Sequence, residues 1–322
     1  MFRILSLDGG GIKGAFAASV LATLEEDTGC AATDHFDLIA GTSTGGIIAI
    51  GLGLGLPARR ICDFYAGKGS TIFPGTSLVQ RTQGRLRQLF GPKHSQAVLR
   101  QALAEVFGER KFGESKCRLA IPTYDAIGGR IFVIKTAHHE RFRYDVDALA
   151  VDVALATSAA PTYFTAAPFS AHADASYVDG GVWANSPVMV AVTEAVAFLG
   201  IPLEDIDVLS IGTTTSPFNI AAHANSGIAQ WNAGLVDLMF EGQMEADLAQ
   251  AKLLLNGRLH RIDVTTRAGE FSLDDARPEK IQQLINLGRA EAVKQNNLDV
   301  VKARFLNGVT AAAYEPCHQP AG

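Results

Sequence analysis

Apolar residues recur along the chain with two periods, one typical of strands and one typical of helices. Most positions of residues 2–7 (FRILSL) are apolar, which predicts a buried β-strand. Residues 14–28 instead place apolar side chains such as Leu21 and Leu24 on one face of a helix that Gly29 would end. The chain therefore begins with a strand, a glycine-rich turn and a helix.

Strands and helices continue to alternate along the rest of the chain. A second strand at 35–41 precedes an apolar helix and another short helix within 57–67. This alternation favours an α/β fold of three layers, in which helices flank both faces of a mostly parallel central sheet. The other predicted strands are 117–124, 130–136, one ending in 177–181, 207–213 and 259–264, and the other predicted helices are 147–158, 187–199, about 227–255, 278–294 and 298–305.

The domain organisation follows from the same pattern. We expect a single domain over residues 1–310, because no internal repeat or linker interrupts the alternation. Residues 68–95 are rich in Gly, Pro, Thr, Ser and Arg, which predicts an irregular segment suited to a lid or an insertion. Residues 311–322 are predicted to form a flexible tail.

Composition narrows the class of protein. The chain has 322 residues, of which 48% are apolar, and this is enough to bury a substantial core. Its net charge is -5 and its basic residues form no tract, so nucleic acid is not an expected partner. The four cysteines are scattered without metal-ligand spacing, so we expect neither a disulfide framework nor a metal site, and a reducing compartment fits best: Cys30, Cys62, Cys117 and Cys317.

The sequence also bears on localisation. The N-terminus lacks the basic and apolar regions of a signal peptide. The most apolar stretch, 45–58, is interrupted by glycines and has about half of the ~20 residues that a membrane span needs. We therefore predict a cytoplasmic protein and a buried helix in this stretch.

The pentapeptide GTSTG at 41–45 fits G-x-S-x-G, the pattern of a serine nucleophile on a sharp turn between a strand and a helix. Gly41 and Gly45 would give the strained turn room, and Ser43 would project at the carboxyl end of the sheet. The alternative, that a hydroxyl of this stretch only caps the helix, has equal weight on this motif alone.

A serine hydroxyl needs a base to take its proton. Asp179 is one candidate, because a predicted strand ends in this carboxylate and two glycines, Gly180 and Gly181, follow. An aspartate with a reference pKa near ~3.9 would have to be sheltered to act as a base near neutrality. The alternatives are a turn aspartate and, for catalysis, a histidine triad that uses one of three histidines that follow Asp179: His223, His260 or His318.

The loop DGGGIKG at 8–14 allows two interpretations. Gly9, Gly11 and Gly14 match the dinucleotide fingerprint G-x-G-x-x-G, which keeps a nucleotide-binding oxidoreductase open. This interpretation is disfavoured because the acidic residue expected at the end of the second strand is missing there, and the serine motif occupies that place. The spacing of a P-loop is also absent. Beside a nucleophile, backbone N–H groups of such a loop can instead form an oxyanion hole.

Taken together, the three motifs resemble one family. DGGGIKG at 8–14, GTSTGG at 41–46 and DGG at 179–181 occur in the order found in patatin-like phospholipases, and ATSAAPTYF at 156–164 is similar to the segment before that family's aspartate motif. The resemblance runs from the first strand to about residue 264. It implies the patatin-like version of the three-layer α/β fold and the hydrolysis of acyl esters in phospholipids or other lipids.

The resemblance also implies roles for individual residues. Ser43 and Asp179 would form a catalytic dyad without histidine, and the amides of Gly10 and Gly11, with Gly9 as the turn, would form the oxyanion hole. The supporting positions would be Lys13, Gly41, Gly45 and Gly180. No cofactor and no calcium or other metal are implied. Some bacterial members are activated by nucleotide second messengers, so such a regulator is one expected partner, beside a lipid ester substrate.

Two stretches allow peripheral contact with a membrane. Residues 77–93 carry basic side chains among apolar ones, and the second stretch is a predicted helix with apolar side chains. Buried core and a solvated face explain the same patterns, so both interpretations stay open. The residues of the first stretch are Arg81, Arg85, Arg87 and Lys93, and those of the second are Trp231, Leu235, Leu238, Met239 and Phe240.

A non-catalytic storage or binding protein is the remaining alternative function.

Overall fold

A computed structural model of the chain describes residues 1–73, 93–172, 175–216 and 234–321. Its strands are β1 (Phe2–Leu7), β2 (Leu38–Gly41), β3 (Arg118–Asp125), β4 (Arg130–Lys135), β5 (Ala167–Pro168), β6 (Ser176–Asp179), β7 (Ile206–Ile211) and β8 (Leu259–Ile262). Its α-helices are α1 (Gly14–Thr28), α2 (Ala32–His35), α3 (Thr44–Gly53), α4 (Ala58–Ile72), α5 (Gln96–Phe107), α6 (Ala150–Ser158), α7 (Gly181–Ala184), α8 (Val188–Ala197), α9 (Gly234–Leu255), α10 (Pro278–Ala292) and α11 (Gln295–Arg304).

The strands form one sheet with the order β5-β6-β3-β2-β1-β7-β8, and β4 pairs with β3 outside this path. Strand β1 lies in the centre and is parallel to both neighbours, so that Leu7 is opposite Gly41 on one side and Ile211 on the other. Because parallel strands end at the same edge, the loops that follow β1, β2 and β7 emerge together. This confirms the predicted α/β class with a mostly parallel central sheet.

The antiparallel pairings lie at one end of the sheet, and this end carries the aspartate motif. Strand β3 runs parallel to β2 over its first residues, Arg118 to Ala120, and pairs with β6 farther along the chain, from Thr123 to Asp125. Strand β6 runs in the opposite direction, with Asp179 opposite Thr123. The last residue of β6 therefore points back toward the place where β2 ends.

Helices cover both faces of the sheet, as predicted. Alternate residues of the central strands face opposite ways, so Leu5 and Leu7 belong to one apolar core and Ile4 to a second. The first core packs against α1, α3, α4, α5, α6 and α10, and the second packs against α8 and α9. Helix α3 is buried at every residue, which explains its lack of a polar face.

The structure differs from the predicted elements in several places: α2, α7 and β5 were not predicted, and the second strand begins at Leu38. Helix α5 was not predicted, although Leu99, Leu103 and Phe107 have the i, i+4, i+8 spacing of a buried helical face. Helix α4 extends to Ile72, and Gly69 within it packs against the side-chain ends of Ile12 and Ile281, which a Cβ would displace. Gly69, one of the glycines of the predicted irregular segment, thus lies in a helix and contributes to its packing.

The predicted lid lies mostly outside the described residues, whereas the predicted tail lies mostly within them. Most of the predicted lid, residues 74–92, lies outside the described residues, so the lid remains a prediction. In the C-terminal segment, the amide of Ala311 donates to the carbonyl of Asp34 and the amide of Cys317 donates to the carbonyl of Ala137. The flexible tail also remains a prediction, and any motion of this segment has to break such bonds.

Candidate active site

Ser43 occupies a strained turn between β2 and α3. Its backbone has φ 54° and ψ −120°, a left-handed φ that non-glycine residues rarely adopt. Although it is the N-cap residue of α3, its side chain makes no capping hydrogen bond. Its Oγ instead donates to Oδ2 of Asp179 at 2.6 Å. Capping therefore does not explain the position of this hydroxyl.

Two glycines make the turn possible by close packing. A Cβ on Gly45 would overlap the carbonyl oxygen of Leu7 in β1, and a Cβ on Gly41 would overlap the carbonyl of Gly45. The start of α3 thus lies directly against the end of β1. This contact places Ser43 beside the loop that follows β1.

Thr157, near the end of α6, holds the Ser43 turn in place through a hydrogen bond. Its Oγ1 accepts a hydrogen bond from the amide of Ser43 at 3.0 Å and donates to the carbonyl of Pro122 at 2.7 Å. Its carbonyl accepts from the amide of Gly180 at 3.3 Å. Thr157 therefore ties the serine turn to the aspartate turn. Thr157 lies in the family-like segment 156–164, but its role could not be predicted from the sequence.

Asp179 is buried and lacks a cationic partner in the described part of the chain. It is 3% exposed, and its Oδ1 accepts a hydrogen bond from the amide of Gly181 at 2.7 Å. Burial raises the pKa of this carboxyl to about 6, against the lowering effects of the Ser43 hydroxyl and the Gly181 amide. A Cβ on Gly180 would overlap the carbonyl of Pro122, so the turn fits tightly against β3. The carboxylate is sheltered as a base near neutral pH requires.

The backbone amides of the glycine loop differ in whether they are hydrogen-bonded within the protein. The amide of Gly9 donates to the carbonyl of Asn185 at 2.9 Å, so this N–H is occupied within the protein. The amides of Gly10 and Gly11 donate to no acceptor among the described residues, and both glycines line the same cleft as Ser43. Lys13 ends the short 3₁₀ turn, and its Nζ donates to the carbonyl of Thr214 at 3.0 Å.

The cleft that contains these groups has a volume of about 190 Å³. Ser43 and Asp179 line one side of it, and most of its other walls are apolar or aromatic. Phe240, one of the residues considered for membrane contact, lies in this wall. An acyl chain matches such a lining better than a polar ligand does. The apolar lining includes Ile12, Ile47, Phe64, Phe164, Phe271 and Leu273.

The histidines considered for a catalytic triad, and most of the basic residues considered for membrane contact, lie away from this cleft or outside the described residues. The ring of His260 bonds Asn297 and the ring of His318 bonds the carbonyl of Glu140, while His223 is not among the described residues. No histidine lines the cleft in the described ranges. Lys93 forms an ion pair with Asp274. The lid arginines and Trp231 lie outside the described residues.

The described part of the chain offers neither a metal-binding cluster nor a membrane-spanning helix. No cluster of three or more His, Cys, Asp or Glu side chains has a geometry that could hold a metal ion in these ranges. No helix in the same ranges combines the length and the apolar character needed to cross a bilayer.

Comparisons with known proteins found a family model and several relatives that match this chain. Residues 5–192 match the family model described as patatin-like phospholipase. A cGAMP-activated phospholipase of Pseudomonas aeruginosa is 33% identical over 99% of this chain and 91% of its own. A protein of the same description from Vibrio cholerae is 32% identical over 94% of both chains. The solved structure of VipD from Legionella pneumophila aligns with 92% of this chain and 66% of its own, at 12% identity and a TM-score of 0.49.

The family match covers more than half of the chain, and the relatives span nearly all of it. Both agree with the resemblance carried by the three glycine-containing motifs. The chain therefore belongs to the patatin-like phospholipase family, and its activity class is that of a lipid ester hydrolase.

Proposed function

We propose that the chain cleaves lipid acyl esters with Ser43 as nucleophile and Asp179 as the only base. The observation that carries this proposal is the 2.6 Å hydrogen bond from Ser43 Oγ to a carboxylate whose pKa burial raises to about 6. A base with this pKa is ionised at neutral pH and still basic enough to accept a proton in the transition state. No histidine is needed between the two residues.

The reaction proceeds in two halves. Ser43 Oγ attacks the ester carbonyl as its proton moves to Oδ2 of Asp179, and the tetrahedral intermediate expels the alcohol, which takes that proton. Water then attacks the acyl-enzyme and gives its proton to Asp179. As the second tetrahedral intermediate collapses to the fatty acid, Asp179 returns this proton to Ser43 Oγ and the dyad is restored. The amides of Gly10 and Gly11 stabilise the negative oxygen in both halves.

The substrate proposed is a phospholipid or another lipid ester, with its acyl chain against the apolar side of the cleft. The reaction as written uses only groups of this chain and water, and requires no metal ion or cofactor. We propose a cytoplasmic protein that meets its substrate at a membrane surface. Release of fatty acid from vesicles, compared with release from dispersed monomeric ester, tests the surface contact.

The dyad is tested by Ser43→Ala together with a fluorophosphonate probe. We expect the wild type to be labelled at Ser43 and the variant to lose both labelling and lipid hydrolysis. Ser19→Ala is the matched control, since Ser19 is a buried serine in α1 whose Oγ donates to the carbonyl of Ile285. Full activity of folded Ser43→Ala would refute the assignment. An unlabelled and inactive wild type would instead favour a non-catalytic binding protein.

A nucleotide second messenger is the proposed regulator. The supporting observation is that two relatives covering more than nine-tenths of this chain are described as cGAMP-activated phospholipases. We expect cGAMP to raise the rate of lipid hydrolysis by the wild type and to leave Ser43→Ala inactive. An unchanged rate at saturating cGAMP would refute this regulator without affecting the dyad.

A further inference from the structure

We propose that Thr213 is the positioning residue that aims the Gly10 amide into the cleft. The proposal rests on the proposed function, because it concerns an amide assigned to the oxyanion hole. Thr213 follows β7, the strand that neighbours β1 on the side away from Ser43. It is 6% exposed, and its Oγ1 donates to the carbonyl oxygen of Gly9 at 2.8 Å.

The planarity of the peptide bond converts this contact into an orientation. The carbonyl of Gly9 and the N–H of Gly10 belong to one trans peptide group, so they point in opposite directions. Because Thr213 holds the carbonyl, the Gly10 N–H must point away from Thr213. Gly9 lies against Ser43 on the other side, since a Cβ on Gly9 would be 3.3 Å from the Cβ of Ser43. The hydroxyl of Thr213 thus fixes the direction of the proposed donor.

The fit between Thr213 and the loop is close enough to require glycine. A Cβ on Gly10 would overlap Oγ1 and Cβ of Thr213, so any other residue would push the threonine away. The next peptide group is held separately, because the amide of Lys13 donates to the carbonyl of Gly10 at 3.1 Å. That bond turns the Gly11 N–H away from Lys13. Each proposed donor therefore has its own partner that sets its direction.

A partly buried chain of ion pairs holds the threonine loop in turn. Thr214 has φ 72°, a strained value for a β-branched residue, and its amide donates to Oδ1 of Asp263 at 3.0 Å. Asp263 lies 2.8 Å from Arg261, and Arg261 lies 2.6 Å from Asp8, the first residue of the glycine loop. The two loops are therefore fixed to the same guanidinium, which keeps Thr213 in register with Gly9.

The experiment compares Thr213→Val, which keeps the shape and removes the hydroxyl, with Thr213→Ser, which keeps the hydroxyl. We expect Thr213→Val to lower kcat roughly 10- to 100-fold, less than the loss of a whole donor, while KM changes little. Thr213→Ser should recover most of kcat. A trifluoromethyl ketone, which forms a tetrahedral oxyanion on Ser43, should bind Thr213→Val more weakly by about the factor lost in kcat.

Thr23→Val is the matched control, because Thr23 is a buried threonine in α1 whose Oγ1 also donates to a backbone carbonyl at 2.8 Å. It should leave kcat and ketone affinity unchanged. Wild-type kcat and ketone affinity in Thr213→Val would overturn the proposal and leave the dyad standing. Equal losses in Thr213→Val and Thr213→Ser would also overturn it, since they indicate a purely structural role. If Ser43→Ala keeps its activity, the proposed function fails first, and the role of Thr213 fails with it.

Discussion

Two buried carboxylates, Asp179 and Glu194, have neighbours of different charge, and this gives the two side chains different roles. Asp179 at the end of β6 is 3% exposed, and Glu194 in α8 is 2% exposed. Asp179 has a hydroxyl and a backbone amide as partners. Glu194 has cationic or ionisable partners, with Lys135 Nζ at 2.5 Å and His138 Nε2 at 3.0 Å. The difference between the two sites is therefore the charge of the neighbours.

This difference decides what each carboxylate can do. Without a cation nearby, the Asp179 carboxylate loses its hydration and gains little in return, so its pKa rises and it becomes a useful base. Glu194 instead joins α8 to Lys135, whose ammonium also lies 4.1 Å from the ring centroid of Phe198. Burial of Asp179 lowers stability but produces a reactive base, whereas the ion pair of Glu194 with Lys135 connects a helix to the sheet.

The strongest test of the comparison is Asp179→Asn. The amide cannot accept the serine proton, so we expect kcat/KM to fall by about 10⁴-fold or more, as with other catalytic dyads and triads. The amide also removes a buried charge that has no cationic partner. The free energy of unfolding above pH 6 should therefore rise by roughly 1 to 3 kcal/mol. Hydrolysis assays and chemical denaturation check the two effects, and a variant that is both active and destabilised would contradict the assignment.

The second test makes the same chemical change at the other site, Glu194→Gln. Loss of this charge leaves the partly buried ammonium of Lys135 beside an aromatic ring without its counter-ion, and we expect the free energy of unfolding to fall by about 3 kcal/mol. The kcat of the folded fraction should remain that of the wild type, since Glu194 does not line the cleft. Denaturation curves and active-site titration separate the two quantities. A large loss of kcat per labelled serine would show that the sites are coupled.

A pH profile gives the smallest of these effects and sharpens the role of Asp179. The base must be deprotonated, so kcat/KM should fall about tenfold per pH unit below about 6 and level off above it. Stability should change in the opposite sense. Because the folded pKa is raised, the contribution of Asp179 to stability is full below its ordinary pKa of 3.8 and is lost as pH rises through about 6. In Asp179→Asn this part of the pH dependence of stability should disappear, and its persistence would assign the titration to another group.

Parts of the fold could be predicted from the sequence because their signals are local. The strand at 2–7, the helix at 14–28 and its end at Gly29 have the predicted bounds, since hydrophobic period and a left-handed glycine act over a few residues. The antiparallel pairing of β6 with β3 could not be predicted in this way. Pairing depends on residues more than fifty positions apart, and nothing local in either strand encodes its direction.

The residues of the candidate site also fall into those that local motifs predict and those that only distant contacts identify. The motifs around Ser43, Asp179 and the glycine loop were visible because each consists of adjacent residues with unusual backbone demands. Thr157 and Thr213 carry no such signal, although one holds the Ser43 amide and the other holds the Gly9 carbonyl. A single hydroxyl becomes recognisable only when its distant backbone partner is known.

The sequence by itself determined the fold class, the family and the residues proposed for catalysis, since local periodicity and contiguous motifs encode them. The tertiary structure decided how these residues act on one another. Reversal of β6 brings a carboxylate to Ser43 across 136 positions of the chain, and burial raises its pKa to about 6. Distances across the fold and loss of water set proton affinity and amide direction, and neither is a property of a linear motif.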